Sequence, residues 1–98
     1  MPPVPDAARC VQHLLIRGTV QGVGYRWAMV EQARWLGLAG WVRNRRDGTV
    51  EAMVAGPPDS VARLLQWARR GPPAAQVSEL VVTPGEGEFA GFEQRPTA

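Results

Sequence analysis

Apolar residues recur along this chain with two different periods, and each change of period predicts a new element. Leu14 and Ile16 fall on one face of a strand over residues 11–17 (VQHLLIR), so these two side chains are predicted to point into a core. The spacing then becomes helical, with apolar positions at Met29, Val30, Ala33 and Leu36. The chain is therefore predicted to begin with a strand and a helix, and Gly37 is the predicted helix stop.

The middle of the chain predicts a hairpin and a second helix. Two β-rich pieces, residues 41–44 and 49–55, flank an Asp47-Gly48 pair. Asp-Gly between strands is a strong turn signal, because glycine accepts a positive φ at little cost. The sequence GPPDS at 56–60 then ends the second strand and opens a helix. The apolar stripe of that helix is Val61, Leu64, Leu65 and Ala68.

The last third of the chain completes the predicted fold. Residues 76–83 (QVSELVVT) predict another strand, and residues 89–94 predict a possible short fifth strand at an edge, anchored by Phe89 and Phe92. The element order is that of an α+β ferredoxin-like split βαβ sandwich (βαββαβ). In such a fold the sheet is antiparallel and both helices cover one of its faces.

Length and composition restrict what this fold can be. The 98 residues suit one domain over residues 10–98, after a proline- and alanine-rich flexible tail over residues 1–9. A single cysteine, Cys10, excludes an internal disulfide and, together with the only histidine, His13, supplies too few ligands for a structural metal. With no secretory signal and no apolar run near the ~20 residues that span a membrane, we expect a soluble cytoplasmic protein.

Charge gives no strong indication of a nucleic-acid partner. Eleven arginines and no lysine stand against nine carboxylates, so the net charge is only +2. Arg43, Arg45 and Arg46 cluster in the predicted hairpin, where they could attract anionic substrates or simply be solvated. Trp41 could offer a base-stacking surface, but one aromatic residue is little for that purpose and core packing is favoured. Packing is also predicted for Trp27, Trp35 and Trp67.

The segment GTVQGVGYR, residues 18–26, carries the first candidate chemistry. It joins the first strand to the first helix, where backbone N–H groups are unpaired and the helix dipole adds partial positive charge. Glycines let several N–H groups converge and let an anion approach closely, and Arg26 can add a bidentate contact. The segment is neither a Walker A loop nor a dinucleotide GxGxxG motif. On these residues alone, a tight turn with a solvated arginine is as good an interpretation as an anion cradle.

Two motifs together resemble the acylphosphatase family. VQGVGYR is similar to the family's phosphate-binding loop with its arginine, and GWVRN followed by DGTVE is similar to the strand that carries its catalytic asparagine. The resemblance runs from about Leu14 to Val82. Two segments depart from the family's common pattern: Gly24-Tyr25 stands where the family often has aromatic residues before the arginine, and Arg45 stands where some members have a small hydroxylated residue.

The resemblance implies a role for each site residue. The backbone amides of Gln21, Gly22, Val23, Gly24 and Tyr25 would bind phosphoryl oxygens. Arg26 would bind and orient the same group, and Asn44 would hold the attacking water, although asparagine at a strand end commonly serves a turn. The implied reaction is hydrolysis of a small acyl phosphate to a carboxylate and inorganic phosphate, without a metal or cofactor.

The resemblance also sets the expected partners and the rival functions. We expect a small-molecule acyl phosphate substrate, phosphate as product and inhibitor, no membrane or nucleic-acid partner, and a monomer. One rival is the carbamoyl-phosphate module of hydrogenase-maturation proteins, whose zinc-finger and transferase regions are absent from this sequence. The other is a non-catalytic anion- or RNA-binding domain that uses the same loop, which predicts strongly salt-dependent RNA affinity.

Overall fold

The structure is a computed structural model that describes residues 9–98. Apart from Arg9, the predicted N-terminal tail, residues 1–9, lies outside the described residues. The elements are β1 (Cys10–Thr19), α1 (Tyr25–Trp35), β2 (Ala39–Asn44), β3 (Val50–Gly56), α2 (Pro58–Ala68), β4 (Gln76–Pro84) and β5 (Phe92–Gln94). The predicted order of strands and helices is therefore confirmed, and the boundaries differ from the predicted ones by three residues or fewer.

The five strands form one sheet in the order β4-β1-β3-β2-β5. The first four are antiparallel, as predicted, but β5 pairs parallel to β2 through Gly40–Phe92 and Val42–Gln94. The possible fifth edge strand is therefore present, and its direction, which the sequence left open, is parallel to its neighbour. The chain leaves β4 at one edge, crosses the end of the sheet and returns in the opposite direction, which is the direction of β2.

The core lies between the sheet and the two helices. Leu14 and Ile16 are fully buried and pair with Ala52 and Val50 of β3, so their predicted inward face is confirmed. Helix α1 buries Met29, Val30 and Ala33 against this face, and α2 buries Val61, Leu64 and Ala68. Phe92 of β5 joins the same cluster, whereas Phe89 is half-buried. The apolar periods of the sequence therefore select the helix-covered face.

Strand register brings three chain segments to one end of the sheet. Strand β3 lies between β1 and β2, and its first residue, Val50, pairs with Ile16 on one side and Asn44 on the other. The loop that follows β1 and the hairpin that follows Asn44 therefore leave the sheet at the same end. This placement explains how motifs about twenty residues apart in sequence can form one site.

Glu51 lies at the centre of a charged cluster on the sheet face without helices. Its buried carboxylate accepts hydrogen bonds from His13 at 2.6 Å and Arg43 at 2.7 Å, and the guanidinium of Arg45 lies 3.4 Å away. Burial alone would raise the pKa of Glu51, but the bonds from His13 and Arg43 and the nearby arginine charges hold that pKa below its ordinary value. Relative to the protonated form, the ionised form of this carboxylate is therefore more stable in the folded protein than in the unfolded chain.

Replacing Glu51 with Gln is expected to flatten the acid side of the stability profile. Because the folded pKa is lowered, the carboxylate stabilises the fold fully above its ordinary pKa of 4.5, and this contribution is lost as the pH falls through the folded value. Urea unfolding at pH 7 and in steps below pH 4.5 should show a difference between wild type and variant that narrows toward acid. Glu79→Gln, which removes an exposed carboxylate paired with exposed Arg17, is the control. A difference that does not change with pH would contradict this account.

The four tryptophans divide between packed and exposed positions. Trp67 packs on Tyr25 with ring centroids 5.4 Å apart, and Trp41 is 7% exposed beneath two guanidinium groups. Trp27 and Trp35 are 64% and 81% exposed, so the prediction that they pack is wrong. They lie eight positions apart on α1, on the side away from the sheet. Helical spacing alone did not separate them from the stripe because every face of α1 carries large apolar residues.

Candidate active site

The loop after β1 turns the chain into α1 without a side-chain cap. Gly24 is the N-cap residue, and no side chain of residues 9–98 caps the first turn. The first turn also carries no acidic residue that would offset the helix dipole. Among the described residues, none accepts a hydrogen bond from the backbone N–H of residues 21–24. This helix start therefore has the free donors and partial positive charge that suit an anion.

The three glycines of this segment have different structural roles. Gly22 and Gly24 have φ values of 75° and 80°, a left-handed conformation that makes the loop curl, and a Cβ on either would meet nothing within 4 Å. Gly18 instead lies in β1 beside β4, where a Cβ would clash with the carbonyl oxygen of Gln76. The two loop glycines therefore leave open space along residues 22–24, while Gly18 allows β1 to approach β4 closely.

Two side chains of the loop anchor it to the core. Val23 packs against the hydrophobic cluster. The Tyr25 ring is 1% exposed, and its hydroxyl donates a 2.7 Å hydrogen bond to the carbonyl of Ala68. Burial raises the pKa of the Tyr25 hydroxyl far above its ordinary value. Tyr25 therefore anchors the loop, as a neutral and buried side chain, at the point where the loop enters α1.

Arg26 follows this anchor in the first turn of α1 and is half-buried. Within residues 9–98, no carboxylate lies at ion-pair distance from its guanidinium and no hydrogen bond engages it. By contrast, Arg17, Arg43 and Arg45 are each paired with a glutamate. The guanidinium of Arg26 is thus uncommitted to any described carboxylate.

Asn44 is the last residue of β2, on the face that the helices cover. Its backbone carbonyl accepts a 3.0 Å bond from the N–H of Ala98. Its side-chain oxygen, Oδ1, is buried and has no hydrogen-bond partner among the described residues. An unpaired buried acceptor costs about 1–3 kcal/mol. Oδ1 is therefore available to accept a hydrogen bond from a group other than the described residues.

One side chain links the loop to the hairpin that follows Asn44. The Gln21 amide nitrogen donates to the carbonyls of Arg45 at 2.8 Å and Thr49 at 2.9 Å. Sequence reasoning assigned only a backbone role to Gln21, because no local pattern shows which distant carbonyls a glutamine side chain will reach. The Arg45 side chain, in turn, pairs with Glu51 on the helix-free face. It therefore extends toward the face opposite to that of Asn44.

The hairpin itself is closed by Asp47. One of its carboxylate oxygens accepts bonds from the backbone N–H of Thr49 at 3.0 Å and from the Thr49 hydroxyl at 2.6 Å. Both bonds lower the pKa of Asp47, and the bond from the hydroxyl has the larger effect. The predicted Asp47-Gly48 turn is confirmed, and it fixes the residues that connect Asn44 to β3.

Two other features of the surface do not form part of this arrangement. A cavity of about 720 Å³ lies near the start of β2, at the end opposite to Asn44, and none of the predicted site residues lines it. The Trp41 ring lies beneath Arg43 and Arg95, whose guanidinium carbons are 4.7 and 5.1 Å from its centroid. Covered in this way, Trp41 presents no face for base stacking. Neither α1 nor α2 has the length and hydrophobicity required to cross a membrane.

The fold and this end of the sheet together define a class: a ferredoxin-like α+β domain in which a helix start that no described side chain caps and a buried amide oxygen without a described partner belong to segments that leave the sheet at the same end. Comparison with known proteins identifies the family within that class. The acylphosphatase family model matches residues 12–94. The acylphosphatase of Cupriavidus necator is 58% identical over 84 residues, which are 86% of this chain and 91% of that protein. The acylphosphatase of an Azoarcus species is 52% identical over 98 residues, covering 97% and 98%.

A solved structure agrees with these sequence relatives. The acylphosphatase of Coxiella burnetii superposes with a TM-score of 0.90 at 32% identity, covering 96% of this chain and 100% of that one. The chain therefore belongs to the acylphosphatase family, and it is a hydrolase that acts on acyl phosphates. The resemblance carried by VQGVGYR and GWVRN is confirmed.

Proposed function

We propose that this enzyme hydrolyses small acyl phosphates by in-line attack of a water molecule that Asn44 holds. In this proposal the phosphoryl group is bound by Arg26 and by the backbone amides of residues 21–25. The observation that carries the proposal is the buried Oδ1 of Asn44, which has no partner among residues 9–98 and lies at the end of the sheet where the loop leaves it. A water O–H is a suitable donor for this oxygen.

The chemistry of an acyl phosphate explains why so few groups suffice. The leaving group is a carboxylate, which is stable as an anion near neutral pH, so no general acid has to protonate it. A loose phosphoryl-transfer transition state spreads negative charge over the equatorial oxygens. Fixed N–H groups and a guanidinium can stabilise that charge without reorganising. Residues 21–26 offer both kinds of donor at one helix start.

Asn44 orients the water and does not take its proton. A carboxamide has no useful basicity, so its contribution is positional, and holding reactants in an attack geometry can supply several kcal/mol of the barrier. The water oxygen bonds to phosphorus as the bond to the acyl oxygen breaks, and that electron pair leaves with the carboxylate. The water's proton passes to a phosphoryl oxygen, which yields inorganic phosphate. The product then competes for the cradle as an inhibitor.

The first test is hydrolysis of benzoyl phosphate by the purified protein in the presence of a chelator. We expect rapid release of phosphate that the chelator does not change and that added inorganic phosphate inhibits competitively. A folded protein that fails to hydrolyse benzoyl phosphate would contradict the proposal. Activity that requires an added metal ion would contradict the assignment of charge stabilisation to Arg26 and the loop.

A further inference from the structure

The Gln21 side chain spans the gap between the loop and the hairpin with both of its donors. A glutamine amide has two N–H groups, and its nitrogen lies 2.8 Å from the Arg45 carbonyl and 2.9 Å from the Thr49 carbonyl. Both bonds are partly buried, so water competes weakly for them. Among residues 9–98, no other side-chain hydrogen bond joins the loop to the hairpin.

The two acceptors sit on either side of the hairpin's base. Arg45 directly follows Asn44, and Thr49 directly precedes Val50, the residue that pairs with Asn44 across the sheet. The N–H of Arg45 also bonds to the Thr49 carbonyl at 2.8 Å, which closes the base. Gln21 therefore holds both strands of the hairpin at the point where Asn44 leaves the sheet.

The side-chain oxygen of Asn44 has no comparable restraint among the described residues. Its Oδ1 makes no bond to any described residue, so its position depends on the backbone that carries it. The loop, by contrast, is anchored to the core through Val23 and Tyr25. Strand pairing with Val50 and the bond from Ala98 hold the Asn44 backbone in the sheet, and the Gln21 amide is the side-chain link between this end of the sheet and the loop.

We infer that Gln21 is a positioning residue that sets the distance between the bound phosphoryl group and the water on Asn44. The inference rests on the proposed function. One residue then serves both reactants, because its backbone belongs to the cradle while its side chain fixes the water holder. A displacement of about 1 Å between reactants can cost roughly 10²-fold in rate. The two bonds therefore affect turnover more than they affect phosphate binding.

Gln21→Met tests this division, because methionine keeps the length of the side chain and removes both donors. We expect kcat to fall by about tenfold to a hundredfold, while the inhibition constant for inorganic phosphate stays nearly unchanged. Both constants are measured with benzoyl phosphate as substrate, at a temperature well below the variant's unfolding midpoint. Loss of folded protein then does not contribute to the measured fall in kcat. Gln66→Met, on the exposed side of α2, is the matched control and should leave both constants unchanged.

Gln21→Glu provides a second variant of nearly the same shape, should the methionine variant not fold. Its ionised carboxylate cannot donate to the two carbonyls, but the protonated form can donate to one of them. The ratio of its kcat to that of wild type should therefore rise as the pH falls. A ratio that is independent of pH would contradict a positioning role for the two Gln21 bonds. Any charge effect on binding is read separately, from the phosphate inhibition constant.

Two results would overturn the inference. An unchanged kcat in Gln21→Met would show that the bonds do not position the reactants. Parallel losses in kcat and phosphate affinity would show that Gln21 only builds the cradle or stabilises the fold. Failure of the proposed function itself would be seen elsewhere, as full activity in Asn44→Ala measured in the same series.

Discussion

Asn44→Ala is expected to lose most turnover while keeping its affinity for inorganic phosphate. The variant removes the buried Oδ1 that would hold the water, and it leaves Arg26 and the loop intact. Losing one well-placed transition-state group costs about 10²–10³ in kcat, and we expect a loss of at least this size. Steady-state hydrolysis of benzoyl phosphate, with phosphate as inhibitor, measures both quantities.

Stability separates this loss from simple misfolding. Oδ1 bonds to no described residue, so truncating Asn44 breaks no hydrogen bond between Oδ1 and the described part of the chain and removes only some packing. The unfolding midpoint of Asn44→Ala should therefore not fall appreciably. Gln94→Ala removes an exposed amide from the neighbouring strand and serves as the matched control. If Asn44→Ala lost phosphate binding as severely as turnover, the asparagine would be part of the cradle and not the holder of the water.

Arg26→Ala is expected to lose both turnover and phosphate inhibition. Its guanidinium is the cation at the helix start that no described carboxylate engages, so the bound anion would lose its charged partner. An arginine that stabilises phosphoryl transfer is worth about 10³–10⁵ in kcat in other enzymes. The inhibition constant for phosphate should rise together with the loss of rate, and both come from the same assay.

Two companion variants show whether geometry or charge accounts for the effect. Arg26→Lys keeps the charge but not the planar fork, so it should recover part of the phosphate affinity and little of the rate. Arg63→Ala removes an exposed arginine from α2 and should change neither constant. Retained phosphate inhibition in Arg26→Ala would contradict the role given to this residue.

The fold was largely predictable because its determinants are local. Leu14 and Ile16 alternate with the period of a strand, and Val61, Leu64 and Ala68 repeat with that of a helix, so each marks the face that becomes buried. The direction of β5 was not predictable, because Phe92 carries the same apolar signal in a parallel or an antiparallel pairing. The exposure of Trp27 and Trp35 was missed for a related reason: their burial depends on which neighbours the fold brings to α1.

The candidate site, like the fold, was predictable from the sequence only in part. The motifs VQGVGYR and GWVRN identify Arg26, Asn44 and the loop by residue type and spacing, and the family they indicated is confirmed. The catalytic roles of these residues stay predictions that the variants above will test. No sequence motif revealed that Oδ1 of Asn44 would be buried without a hydrogen-bond partner among the described residues, since this depends on every group that surrounds it.

The sequence by itself determined the order of elements, the buried faces, the glycine loop and the arginine that follows it. These follow from backbone preferences and side-chain periods that act within a few residues. Only the tertiary structure decided which distant groups meet: Gln21 with the carbonyls of Arg45 and Thr49, and Glu51 with His13 and Arg43. Such contacts depend on strand register and on the direction of each side chain across the sheet, and only the assembled fold sets both.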